Sequence, residues 1–175
     1  TNHPGEIRPL SDMIAPTIAI VLNVLPVHIG HFASFDALVQ EKLSLRSGLT
    51  SSGQLILQSA LSDSVSGPLS TFGTAPSADI QWEPLVGAQA AITVGKQRYT
   101  LEMPALGTHL IPTAAACLAV IQALGLDIQT AINRLTSAPL PIGRGNAEHI
   151  GGITLVDESY NANPESMAFA LKALS

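Results

Sequence analysis

The side chains best suited to chemistry fall in a few short stretches. His28 and His31 lie in VHIGHF, directly after an apolar run, and Lys42 follows His28 by fourteen positions. As a zinc ligand His28 lacks company, because no His, Cys and Asp set at ligand spacing surrounds it. Lys42 on its own reads as the solvated end of a helix. His3 and Glu6 stand in TNHPGEI, where Pro4 and Gly5 mark a turn and the two ionisable groups suit capping roles. His109 occurs in GTHLIPTAAA, and Thr113 in that run can help to start a helix. Arg144 follows Gly143. Its guanidinium fork suits phosphate oxygens, and Gly145 and Asn146 beside it equally suit a solvated linker. From Asp157 to Met167 the chain reads DESYNANPESM, in which Asn161 to Pro164 has the composition of a turn and helix cap. No G-x-x-x-x-G-K-[ST] phosphate loop occurs in the 175 residues.

The elements that must position these groups follow from periodicity and punctuation. Ile18–Val24 holds six apolar residues and one asparagine, with β-branched side chains at Ile18, Ile20, Val21 and Val24, the pattern of a strand buried on both faces. Pro26 stops it, and Ser34 caps a helix that runs to about Ser47, with Gly48 as its C-cap. His28 and His31 therefore sit at the carboxyl end of a strand, where open α/β sheets bind ligands. Ile7, Leu10, Met13 and Ile14 predict a helix before Pro16. QLILQ at Gln54–Gln58 predicts a buried strand completing a right-handed βαβ unit.

Ser59–Ser77, rich in Ser, Gly, Pro and Thr, reads as a loop. Strands are predicted over Ala78–Leu85, Ala90–Val94 and Gln97–Met103, with Gly95 and Lys96 forming a type II′ hairpin turn. Leu110–Leu124 predicts a helix with an apolar face of Ala114, Ala115, Cys117, Leu118, Ile121 and Leu124, ended by Gly125. Cys117 is expected as a buried, unreactive thiol, and Glu41 as a surface residue. Asp127 caps a further helix to Leu135. Ser137–Gly152 loses periodicity, which places a first domain over 1–140, a linker over 141–152 and the start of a second domain over 153–175. That last unit, a strand at Ile153–Val156 and a helix from Pro164, is too small to bury its own core. The chain is accordingly expected to be a piece of a longer protein.

Composition bounds the function. Of the residues 46% are hydrophobic and 12% charged, and mean hydropathy is +0.34, as in a globular chain. No apolar run reaches the roughly 18 residues of a membrane span, and no basic-then-apolar leader opens the chain. Eight basic against 13 acidic residues give a formal charge of -5, which offers no basic surface to nucleic acid. The single cysteine forms no internal disulfide.

NVLPVHIGHF with Lys42 downstream, TNHPGEI, and DESYNANPESM together resemble the Mur ligases. The resemblance implies an α/β fold, a Mur ligase central-domain-like sheet flanked by helices followed by the first elements of an α/β C-terminal domain. It implies ATP and Mg2+ as cofactors, with His28 and a carbamylated Lys42 as metal ligands and catalytic groups. A carbamate would give magnesium the hard oxygens that an ammonium cannot. His109, Thr113, Arg144, Glu158 and Asn161 are implied in nucleotide binding, and Asn2, His3, Glu6, Ser159 and Tyr160 in substrate binding. Thr113 stands where the family has asparagine, Glu158 where it has a second aspartate, and QSALSDS where it has an N-A-D-D type segment.

The implied reaction is amide formation through an acyl phosphate, with UDP-N-acetylmuramoyl-tripeptide and D-alanyl-D-alanine as partners, in a cytoplasmic protein that is monomeric when full length. This chain alone is expected to be inactive. The alternatives are a non-catalytic binding or scaffold remnant of the fold, or another ligase of the Mur or folylpolyglutamate type.

Overall fold

A computed structural model describes residues 1–104, 109–162 and 164–174. Gly107, Asn163 and Ser175, used in the sequence reading, lie outside them. The order of elements is α1 (Ile7–Ile14), β1 (Ile18–Val21), α2 (Phe35–Leu43), β2 (Gln54–Gln58), β3 (Ser70–Gly73), β4 (Ile80–Pro84), β5 (Gln89–Val94), β6 (Gln97–Glu102), α3 (Ile111–Ala123), α4 (Ile128–Thr136), β7 (Asn146–Ile150), β8 (Ile153–Asp157) and α5 (Pro164–Ala173). Short 3-10 turns at Ile29–His31, Ser44–Gly48 and Ser59–Ser64 complete it.

Strands β1 to β6 form one sheet in sequence order. The first four are mutually parallel, and β4, β5 and β6 run antiparallel. Alternation along β2 sends Leu55 and Leu57 to one face, where they meet Ala19, Val21, Val39 and Leu43. Ile56 goes to the other, where Phe72, Ile80, Ile92 and Leu101 pack under Ile111, Ala115 and Leu118 of α3. β2 is thus covered on both sides, which is why its three central residues, Leu55, Ile56 and Leu57, are all apolar and buried between half-buried glutamines. Alanines at 114, 115 and 119 of α3 are buried, and their small side chains let the helix lie close on the sheet.

Several expectations are corrected here. β1 ends at Val21 and is the outer strand of the described sheet, with Ile18 and Ile20 only half-buried. β3 falls inside the stretch read as a loop, since Ser70–Gly73 is drawn into strand by its parallel neighbours β2 and β4. Asn146–Ile150, within the stretch read as a linker, pairs antiparallel with β8. The helix after Ser34 stops at Leu43 and tightens into the 3-10 turn Ser44–Gly48. Cys117 is exposed, lining a groove between α3 and α4 with Leu126, Thr130 and Leu135. Glu41 is buried, 8% exposed.

Local signals hold elsewhere. Ser34 accepts the Ala37 N–H at 3.1 Å, and Asp127 that of Thr130 at 2.7 Å. Gly95 has φ +60° while Lys96 does not enter the left-handed region, which fits the II′ turn and excludes I′. Gly48 is required by proximity, because a Cβ there would meet the Ser11 carbonyl oxygen at 2.0 Å. Ser11 in turn donates to the Leu45 carbonyl, so α1 is clasped to the 3-10 turn after α2.

Candidate functional site

The first cluster joins the chain's opening loop to the loop after β1. Glu6 accepts hydrogen bonds from Thr1 Oγ1 and the Asn2 N–H, both at 2.8 Å, and lies 3.1 Å from His3 Nδ1. These bonds, the Asn2 backbone foremost, hold its carboxyl at about 2, against an ordinary 4.5. The His3 ring meets the His31 ring with centroids 4.5 Å apart and planes tilted by 58°. His28, three residues before His31, is exposed and has φ +62°, a left-handed conformation uncommon for any residue with a Cβ. Its carbonyl accepts from the His31 N–H at 3.0 Å.

Beneath this loop lies Glu41, a residue whose role the sequence reading missed. Its carboxylate accepts from the Gly5 N–H at 2.8 Å and the Ile7 N–H at 2.9 Å, meeting the donors left open at the start of α1. The signal was spacing: Glu41 is three residues beyond the buried Leu38, on the same helical face. Lys42 follows it, half-buried on α2. Neither His28 nor Lys42 makes a side-chain hydrogen bond or ion pair among the described residues, and the structure does not join them to each other.

The second cluster forms where the residue pair before α3, His109 and Leu110, meets the segment that follows β8. His109 Nε2 lies 3.6 Å from Glu158 Oε1, their side chains 17% and 31% exposed. Both ring nitrogens of His109 are buried and lack a hydrogen-bond partner among the described residues, so the site has unused donor and acceptor capacity. Asp157 accepts the Ser159 N–H at 3.0 Å, and Ser159 holds the Asp157 carboxyl below its usual range. Gly143 has φ +76°, and a Cβ there would come within 2.9 Å of the Tyr160 nitrogen. Only glycine lets the Gly143–Arg144 turn lie against this segment, with the Tyr160 N–H donating to the Gly143 carbonyl at 3.3 Å. The Arg144 guanidinium then stacks 3.9 Å from the Tyr160 ring centroid. Ile142, Asn146, Asp157, Glu158 and Ser159 line a cleft of about 440 Å³. Thr113 is exposed on the first turn of α3, and Asn161 is exposed with its side-chain Oδ1 accepting from the Ala162 N–H at 2.8 Å. Asn2 and His3 remain with the first cluster.

A family model described as the Mur ligase middle domain matches residues 1–121. The chain belongs to the Mur ligase family. It is 28% identical over 190 aligned residues to a UDP-N-acetylmuramoyl-tripeptide--D-alanyl-D-alanine ligase of Mycobacterium bovis, covering 99% of this chain and 37% of that protein. Its structure is similar to that of MurF from Acinetobacter baumannii, with a TM-score of 0.86 and 25% identity over 99% of this chain and 40% of the other. It also shares the fold of a MurF ligase from Thermotoga maritima solved with ADP, with a TM-score of 0.85 at 23% identity, covering 99% and 42%. The chain thus spans about two fifths of the length of these relatives.

The donors can be tested against the family's magnesium. Among the described residues no group of three or more His, Cys, Asp or Glu side chains could hold a metal ion. Lys42 as an ammonium repels a cation, whereas as a carbamate it offers oxygens, the ligand type magnesium prefers. His28 and Lys42 do not make such a set by themselves, so a magnesium ion held there would need Lys42 as the carbamate and further oxygens from outside the chain.

Proposed function

We propose that this chain is part of an ATP-dependent ligase that joins D-alanyl-D-alanine to UDP-N-acetylmuramoyl-tripeptide in the cytoplasm. The observation that carries the reading is the meeting of His109 with Glu158. A histidine with two unused ring nitrogens stands beside the Glu158 carboxylate, with the Arg144 guanidinium stacked on Tyr160, two residues further along the chain. Support for the substrate class comes from the similarity, over nearly the whole chain, to ligases named for it.

In this reading Glu158 accepts from ribose hydroxyls, its extra methylene relative to aspartate carrying the acceptor further outward. Arg144 lifts from the Tyr160 ring to meet phosphate oxygens, a bidentate contact that suits a guanidinium. His109 supplies a ring nitrogen beside them, and Thr113 on the first turn of α3 and Asn161 ahead of α5 contribute further nucleotide contacts. Asn2, His3 and Glu6 form a substrate-facing loop kept in register by Glu41, and Ser159 and Tyr160 face the peptide substrate. Magnesium, when bound by His28 and the Lys42 carbamate, supplies charge neutralisation for phosphoryl transfer.

The test is phosphate release by the full-length protein. It is expected to require ATP, the UDP-linked tripeptide and D-alanyl-D-alanine together, and the 175-residue chain alone is expected to give none. Turnover by that chain, or release by the full protein indifferent to the dipeptide, would overturn the reading. A full-length protein that folds and binds nucleotide without releasing phosphate would favour a non-catalytic remnant.

A further inference from the structure

A cleft of about 240 Å³ lies between α1, α2 and the 3-10 turn Ser44–Gly48, lined by Arg8, Gln40, Leu43, Ser44, Arg46 and Ser47. We propose that it is a binding site for a small phosphate dianion, gripped by the guanidinium groups of Arg8 and Arg46. The proposal is independent of the ligase reading and uses none of the residues assigned to it.

The argument is one of local charge. The chain carries a net charge of -5, yet here two guanidinium groups line one cleft with a single carboxylate, Asp12, beside them. Asp12 is already engaged. Its Oδ1 accepts from Ser47 Oγ at 2.9 Å, and its Oδ2 lies 3.7 Å from Arg8 Nε, leaving the terminal nitrogens of Arg8 uncommitted to it. Arg46 is exposed and has no ion pair among the described residues. The other acid of α2 close by, Glu41, has one oxygen engaged by the Gly5 N–H and the other by the Ile7 N–H. The Ser44 hydroxyl donates to the Glu41 carbonyl at 2.7 Å, so the donors left to a ligand are the two guanidinium forks and the Gln40 amide. Planar forks of this kind match tetrahedral phosphate oxygens better than they match a monovalent halide. The clasp between Ser11 and Gly48 fixes the spacing of the two arginine-bearing elements, which reduces the ordering cost of binding.

The experiment is a calorimetric titration of the 175-residue chain with inorganic phosphate, with sodium chloride holding ionic strength constant. Saturable binding with a dissociation constant of about 1 mM or tighter is expected. Arg8→Gln and Arg46→Gln should each weaken it about tenfold, and Arg46→Lys, which keeps charge but loses the fork, about threefold. Arg98→Gln, which breaks a remote surface pair with Glu83, should change nothing. A parallel titration with UDP separates sources: tighter binding than phosphate, lost equally in Arg46→Gln, assigns a nucleotide's terminal phosphate, and weaker binding assigns the free ion. Equal affinity in wild type and both Gln variants, with circular dichroism showing them folded, would overturn the proposal. So would a response that never saturates and tracks ionic strength alone.

Discussion

The Glu41 carboxylate bridges to the N–H groups of Gly5, at 2.8 Å, and Ile7, at 2.9 Å, fastening the opening loop to helix α2. Because Glu41 is 8% exposed, removing its carboxylate strands donors at the start of α1. Glu41→Ala is expected to destabilise the chain by about 2 kcal/mol, the scale of hydrogen bonds to a charged group. Glu41→Gln, which keeps one acceptor oxygen, should cost less. Urea denaturation of the three proteins checks this, and a neutral Glu41→Ala would show that α1 is capped by solvent.

Glu6 sets an acid limit on the same loop. Its carboxyl titrates at about 2 in the folded chain against 4.5 ordinarily. A depressed folded value contributes stability that is present above 4.5 and lost as pH falls through 2. Protection of the Asn2 amide, with exchange corrected for its intrinsic pH dependence, should therefore fall between pH 4.5 and pH 2, and in Glu6→Gln it should be low across that range.

Gly48 tests the clasp between α1 and the turn after α2. A methyl there would sit 2.0 Å from the Ser11 carbonyl oxygen, and backbone rather than a flexible side chain must give way. Gly48→Ala is expected to cost about 1–3 kcal/mol. A thermal melt within error of wild type would mean that the two segments part easily.

Cys117 is exposed on α3, and desolvation beside Ile121, Leu126 and Leu135 pushes its thiol up. Alkylation by iodoacetamide at neutral pH should be slower than for a free thiol, because the thiolate is the nucleophile. Faster reaction would point to a cation near the sulfur.

What was legible in the sequence was local. Ser34 and Asp127 announce helix starts because their own oxygens cap the next turn, and Gly95 announces a hairpin because its φ is positive. What was hidden depends on distant partners. Ser70–Gly73 is a strand only by pairing with β2 and β4, reinforced by Asp79 accepting the Thr71 N–H at 2.8 Å. Asn146–Ile150 is largely exposed, so burial leaves no alternation to read. Glu41 was read by charge when its position after Leu38 put it on the buried face. The similarity of motifs named His109, Arg144 and Glu158, but not that His109 and Glu158 meet or that Arg144 rests on Tyr160.

The meeting of His109 and Glu158, 3.6 Å apart, is the point on which the nucleotide reading turns. It is tested most directly by titrating the full-length protein with ADP, comparing wild type with Glu158→Ala and His109→Ala. Each substitution is expected to weaken ADP binding about tenfold, the loss of roughly one charge-assisted or buried hydrogen bond. Wild-type affinity in both folded variants would contradict the account and place the nucleotide elsewhere.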